Sequence, residues 1–198
     1  MYWRIVFVQM ETAVAKPRGK GLNRETWIEA ALELVDREGL TALNVRALAR
    51  RLKVTTMAPY AHFADKEDLL DAMATHVLGG VEDSVDPHAA WDVQIEQGMV
   101  ALHDRLERHP GVTDLIVARS EGERLNELRD VLLTATARAG LDPVQGADAL
   151  RALVSYVLGF VILTRAGAPI KVRRGSPGAF DYGLRMLMDA LRAKAGGD

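Results

Sequence analysis

From Trp27 onward, apolar residues return every three or four positions in each segment of the chain, and no segment alternates with a period of two. That spacing puts apolar side chains on one face of a helix and excludes half-buried strands. Trp27, Ala30, Ala31, Leu34 and Val35 mark a first helix. Asn23 is placed to cap it, Leu22 and Trp27 to staple its entry, and Gly39 to close it. Asn44 precedes a short helix with Val45, Leu48, Ala49 and Leu52 on its inner face. Thr55 and Thr56 offer a further cap, after which residues 57–63 are expected to make two helical turns. Asp65 opens the next helix, with Leu69, Leu70, Met73 and Val77 inside, running to Gly79 and Gly80.

The remainder reads the same way. One stripe is Trp91, Ile95, Met99, Leu102 and Leu106, ended at His109, Pro110 and Gly111. Val112, Leu115 and Ile116 follow, then Leu125, Leu128, Val131, Leu132 and Ala135 up to Gly140. Asp142 with Pro143 gives a cap and a first-turn proline. The helix they start is apolar nearly all round over residues 153–163, so it should be covered on several faces. A Gly/Pro/basic loop, residues 166–178, leads to a last amphipathic helix carrying Phe180, Leu184, Leu187, Met188 and Leu191. The expected fold class is all-α: an N-terminal three-helix helix-turn-helix domain and a C-terminal helical bundle that forms a dimer interface.

Charge divides the chain. Residues 1–66 hold 11 Lys+Arg against 7 Asp+Glu, a net of +4; residues 67–198 hold 14 against 20, a net of −6. A basic end on an acidic body fits approach of that end to a polyanion. With 48% hydrophobic residues a core is assured, and the absence of cysteine removes disulfides and thiolate chemistry. The opening MYWRIVFV is too short for a signal peptide or a membrane helix. Residues 1–9 are either sequence upstream of the native start or a frayed terminus. The expected divisions are residues 1–21, a flexible arm; 22–68, the helix-turn-helix; and 69–198, a ligand-binding and dimerisation domain.

The informative stretch is residues 45–70, VRALARRLKVTTMAPYAHFADKEDLL. Ala49 is small enough for two helices to cross. Leu48, Leu52 and Val54 hold them, and Thr55, Thr56, Met57 and Tyr60 form a face able to enter a major groove. Residues 22–73 resemble the DNA-binding domain of the tetracycline repressor (TetR) family. The resemblance rests on LNRETWIEAALELVDREGL, VRALARRLKV, the Tyr60, Ala61, His62, Phe63 box and Lys66, Glu67, Asp68, Leu69, Leu70. More loosely, ALRALVSYVLGFVILT resembles the C-terminal domain of the same type.

The resemblance implies roles. Arg46 reaches a guanine edge or a phosphate, and Thr55, Thr56 and Met57 face the groove. Tyr60 and His62 bond phosphates, and Lys66 binds the backbone. Each has a plainer alternative: Tyr60 and Met57 as core, His62 and Arg46 as surface. Pro59 stands where a core leucine is usual in the family and should distort the first turn of the reading helix. The arm residues Lys16, Arg18 and Lys20 reach a minor groove or solubilise a tail.

The resemblance further implies a homodimer on an inverted repeat of double-stranded DNA, a small-molecule effector and a cytoplasmic protein with no membrane partner. Pocket candidates are Met73, His76, Val77, Met99, His103, Leu106, Ile116, Tyr156 and Phe160. Interface candidates are Leu150, Val154, Val157, Leu158, Val161, Leu184, Leu187, Met188 and Leu191, with Gly159 allowing close approach. Histidines 62, 76, 88, 103 and 109 show no HExxH spacing, and no P-loop, GxGxxG or GxSxG element is present. No enzyme, cofactor or metal is therefore expected.

Overall fold

A computed structural model describes residues 22–118, 123–166 and 178–196. The arm, residues 1–21, and most of the 166–178 loop lie outside them, as does the side chain of Leu125. Among the described residues there are α-helices and 3-10 turns and no strand, so the all-α expectation holds. The helices are α1 (Arg24–Glu38), α2 (Val45–Leu52), α3 (Lys66–Leu78), α4 (Trp91–Arg108), α5 (Thr113–Ala118), α6 (Glu123–Arg138), α7 (Pro143–Ala166) and α8 (Ala179–Gly196). The chain forms two compact units, Met1–His76 and Val77–Asp198; the boundary lies within α3, beyond the division at 68 expected from sequence.

In the N-terminal unit each helix start is fixed locally. The Asn23 side-chain Oδ1 accepts from the Thr26 N–H at 2.9 Å, Asn44 Oδ1 from Ala47 at 2.9 Å and Asp65 Oδ1 from Asp68 at 2.9 Å. Each bond satisfies one of the amides that a helix start leaves without a carbonyl. α1 buries Trp27, Ile28, Ala31, Leu34 and Val35 and packs on α2, whose Leu48 and Ala49 are buried. α2 ends at Lys53, which sits in the left-handed region (φ 56°, ψ 42°) while the Val54 N–H donates back to the Ala49 carbonyl at 2.9 Å. A lysine here costs on the order of 1 kcal/mol in backbone energy. The closed turn re-aims the chain into the reading segment.

The C-terminal unit is organised on α4, which packs against α6, α7 and α8. Its stripe of Ile95, Met99, Leu102 and Leu106 is fully buried. Asp142 caps α7 by accepting from the Val144 and Gln145 N–H groups, both at 2.9 Å. Behind that cap, Gly146 meets Thr136 of α6 so closely that a Cβ would fall 2.5 Å from the threonine Oγ1.

Within one chain α7 packs on α4, α5, α6 and α8. Gly146, Leu150, Leu153, Val157 and Val161 are buried, Val154, Leu158, Phe160 and Ile162 are half-buried, and Val144 and Leu163 stand exposed. By length and composition α7 could cross a membrane. Its buried stripe and the exposed pair of Arg151 with Asp148 fit a core helix instead.

Candidate functional site

The reading segment follows α2. Thr55, Thr56 and Met57 are consecutive and exposed, Met57 by 49%. Its exposure puts Met57 on the surface rather than in the core. Arg46, the second residue of α2, is exposed as well. Tyr60, His62 and Lys66 are half-buried. Tyr60 and Lys66 both line a small apolar crevice together with Leu48, Pro59 and Phe63, which brings the two residues close to one another. Burial pushes the Tyr60 phenol above its ordinary pKa.

The two helical turns expected over residues 57–63 are not formed. In their place is one 3-10 stretch, Ala58–Ala61. Pro59 has no N–H to give the Thr55 carbonyl, which instead accepts from Ala58 at 3.1 Å; Tyr60 likewise donates to Met57 at 3.2 Å. The i→i+3 pattern tightens the segment. Nor does a threonine side chain cap it. Pro59 is itself buried, at the position where a core leucine is usual in the family resembled.

The segment is then fastened to α1 by groups that sequence reading missed. Arg24 donates to Asp68 Oδ1 at 2.6 Å and to the His62 carbonyl at 3.4 Å, and its guanidinium lies 4.9 Å from the Phe63 ring centroid. The other Asp68 oxygen accepts from the Ala64 N–H at 2.9 Å. These contacts tie the start of α1 to the turn before α3 and to the first turn of α3. The His62 ring lies 6.4 Å from that of Trp27. Arg51 of α2 pairs with Glu33 of α1.

The pocket candidates divide between the units. Met73 is buried and His76 pairs with Glu25 at 2.9 Å, both in the N-terminal unit. In the C-terminal unit Val77, Met99, Leu106 and Ile116 are core residues. His103, Tyr156 and Phe160 do come together, around Phe180, which sequence reading had placed only on the apolar face of the last helix. The Phe180 ring stacks on His103 with centroids 3.7 Å apart and planes 16° apart. It lies 5.5 Å from Phe160 and 5.5 Å from Tyr156, whose hydroxyl donates to the Phe180 carbonyl at 2.9 Å.

Comparison with known proteins supplies the context. The family described as bacterial regulatory proteins, tetR family, matches residues 28–73. BioQ of Mycobacterium smegmatis has a solved structure similar to this one, 32% identical, with a TM-score of 0.68 over 87% of this chain and 99% of that one. The chain belongs to the tetR family. A curated HTH-type transcriptional regulator of Saccharopolyspora erythraea is 31% identical over 71% of this chain, and the match spans 60% of that relative. A single-residue variant of TetR from Acinetobacter baumannii AYE, solved with minocycline, is 27% identical, with a TM-score of 0.71 over 89% of this chain and 97% of that one.

The tetR family is one of bacterial regulatory proteins, and the curated relative of Saccharopolyspora erythraea is a transcriptional regulator rather than an enzyme. The matched residues run from α1 into α3 and include all seven residues assigned to DNA from the sequence. Of the bracing residues, Asp68 falls within the match and Arg24 just before it. No local pattern marks that pair, because its partners meet only when α1 and α3 pack.

Proposed function

We propose that the chain is a homodimeric repressor that binds an inverted-repeat operator in the cytoplasm and is released by a small-molecule effector. The observation that carries the reading is the exposed run Thr55, Thr56, Met57, followed within one short segment by the half-buried Tyr60 and Lys66. Base-reading groups flanked by phosphate-binding ones are what sequence-specific recognition requires: phosphate contacts set register and base contacts specify sequence. Support comes from BioQ, which is solved with its double-stranded DNA operator, and from the TetR variant solved with minocycline. The ligand site proposed here is the aromatic cluster of His103, Tyr156 and Phe160. Met73 and His76 are left out of it.

The dimer reading shifts its residues. Leu150, Val157, Val161, Leu184, Met188 and Leu191 are buried inside one chain and cannot face a partner. Val154, Leu158 and Leu187 are half-buried. The proposed interface lies on α7 and α8, where Val144, Leu163, Tyr182 and Met186 are exposed. Large apolar side chains left exposed fit association with a second copy, and a two-fold dimer matches a two-fold operator.

Selection of bound duplexes from a random pool tests the function. A palindrome with half-sites about 10 base pairs apart, or a multiple of that, is expected. Enrichment of a single asymmetric site, or of none, overturns it.

A further inference from the structure

We infer that Phe180 occupies a slot built for a flat aromatic ligand and acts as that ligand's internal competitor. The inference rests on the effector reading above and gives the effector a chemical class. Phe180 is the second residue of α8 and is itself buried. The groups around it are not an ordinary apolar core. They are an imidazole stacked at 3.7 Å, a phenol ring 18° from parallel, and a phenylalanine ring 67° from the Phe180 plane. Rings stacked on two sides and one ring edge-on surround a flat group with aromatic faces and edges, the contacts an aromatic ring favours.

Two of the three neighbours carry polar edges, which aliphatic packing would not need. His103 Nδ1 lies 3.3 Å from Asp104 Oδ1, which orients the ring. Among the described residues, the Tyr156 hydroxyl donates to backbone carbonyls of the first turn of α8, Phe180 at 2.9 Å and Ala179 at 3.5 Å. Burial and the nearby Asp181 carboxylate push the phenol above its ordinary pKa, so it remains a donor. When that turn lifts, the hydroxyl is freed to donate to an acceptor on an incoming ring. Tyr156 and Phe160 are only half-buried, so the slot has a solvent side. The expected ligand is a one- or two-ring aromatic carrying a hydrogen-bond acceptor, and its arrival displaces Phe180 and the start of α8.

A competitor of this kind lowers apparent affinity by the fraction of molecules in which it has vacated the slot. Removing the Phe180 ring should therefore tighten binding. The test titrates the full chain with 2-naphthol, read by naphthol fluorescence. Phe180→Leu keeps an apolar side chain in place, so the fold is retained. Met188→Ala loosens α8 elsewhere and is the control for general softening. Phe180→Leu should bind 2-naphthol roughly tenfold tighter than the natural chain, at one site per chain. The gain should vanish in Phe180→Leu/His103→Leu. Equal affinity in Phe180→Leu and the natural chain overturns the inference, as does an equal gain in Met188→Ala. Release of selected operator DNA by 2-naphthol from Phe180→Leu supports slot and effector reading together. Tight binding without release upholds the slot and overturns its identity as the effector site.

Discussion

Gly183 of α8 and Tyr156 of α7 fit together so closely that a Cβ at position 183 would fall 2.2 Å from the tyrosine Oη and 2.6 Å from Cζ. The missing side chain lets the phenol lie across the first turn of α8 and hold the Phe180 carbonyl. The aromatic slot thus depends on a glycine that contributes no atom to it.

Gly183→Ala should therefore destabilise the chain by about 1–3 kcal/mol, the usual cost of overpacking. Ordinary helix propensity would give a gain of up to about 1 kcal/mol for the same change, so the sign is diagnostic. Urea unfolding measures it. In a Tyr156→Leu background the penalty should shrink, giving a coupling on the order of 1 kcal/mol; equal penalties in both backgrounds would show that the contact does not matter.

The two classes of DNA contact should separate experimentally. Lys66→Gln is expected to weaken binding to every duplex alike and to reduce the slope of log affinity against log salt by about one. Thr56→Ala and Met57→Ala should leave that slope unchanged and alter which duplexes are preferred. Repeating the pool selection with each variant checks this. An unaltered consensus would remove Thr56 and Met57 from the reading face.

Tyr182 and Met186, exposed by 68% and 58%, separate dimer from core. Tyr182→Glu/Met186→Glu should yield a monomer by sedimentation while folding stability shifts by no more than about 0.5 kcal/mol per site, as for other surface changes. Val157→Asp should instead unfold the chain, because it buries an unpaired charge. A dimer that survives the double charge would place the interface elsewhere.

Asp92 of α4 and Arg192 of α8 lie 2.7 Å apart, with Asp189 and Glu96 also on the guanidinium. The hydrogen bond from Arg192 holds the Asp92 carboxyl below its ordinary pKa. A carboxylate lowered in the folded state adds stability that is fully present above its unfolded pKa and is lost as pH falls through the folded one. Asp92→Asn should cost less than about 1 kcal/mol at pH 7, since solvent reaches both side chains. The difference from the natural chain should close as pH falls below the ordinary carboxylate range. A difference that persists at the lowest pH would assign it to packing.

What the sequence determined was everything whose cause closes within a few residues. The caps at Asn23, Asn44, Asp65 and Asp142 each join a side chain to an amide two or three positions on, and apolar spacing alone gave the helices their inner faces. The stretch assigned to DNA could be picked out for the same reason: the residues that carry the family resemblance lie within one short segment. Pro59 marks the limit of that reading. Its missing N–H was visible, but the Thr55 carbonyl had an i→i+3 donor in Ala58, and the closure of that bond turned an expected helix into a 3-10 turn.

Only the tertiary structure decided the rest. Arg24 with Asp68, His103 with Phe180 and Tyr156 with Gly183 are far apart in the chain and meet because helices cross there. For α7 the sequence shows apolar residues on nearly every side; which stripe is buried depends on where α4 and α6 lie. Helical periodicity says which residues can be inside. It does not say what they will face, because that choice belongs to the neighbouring helix.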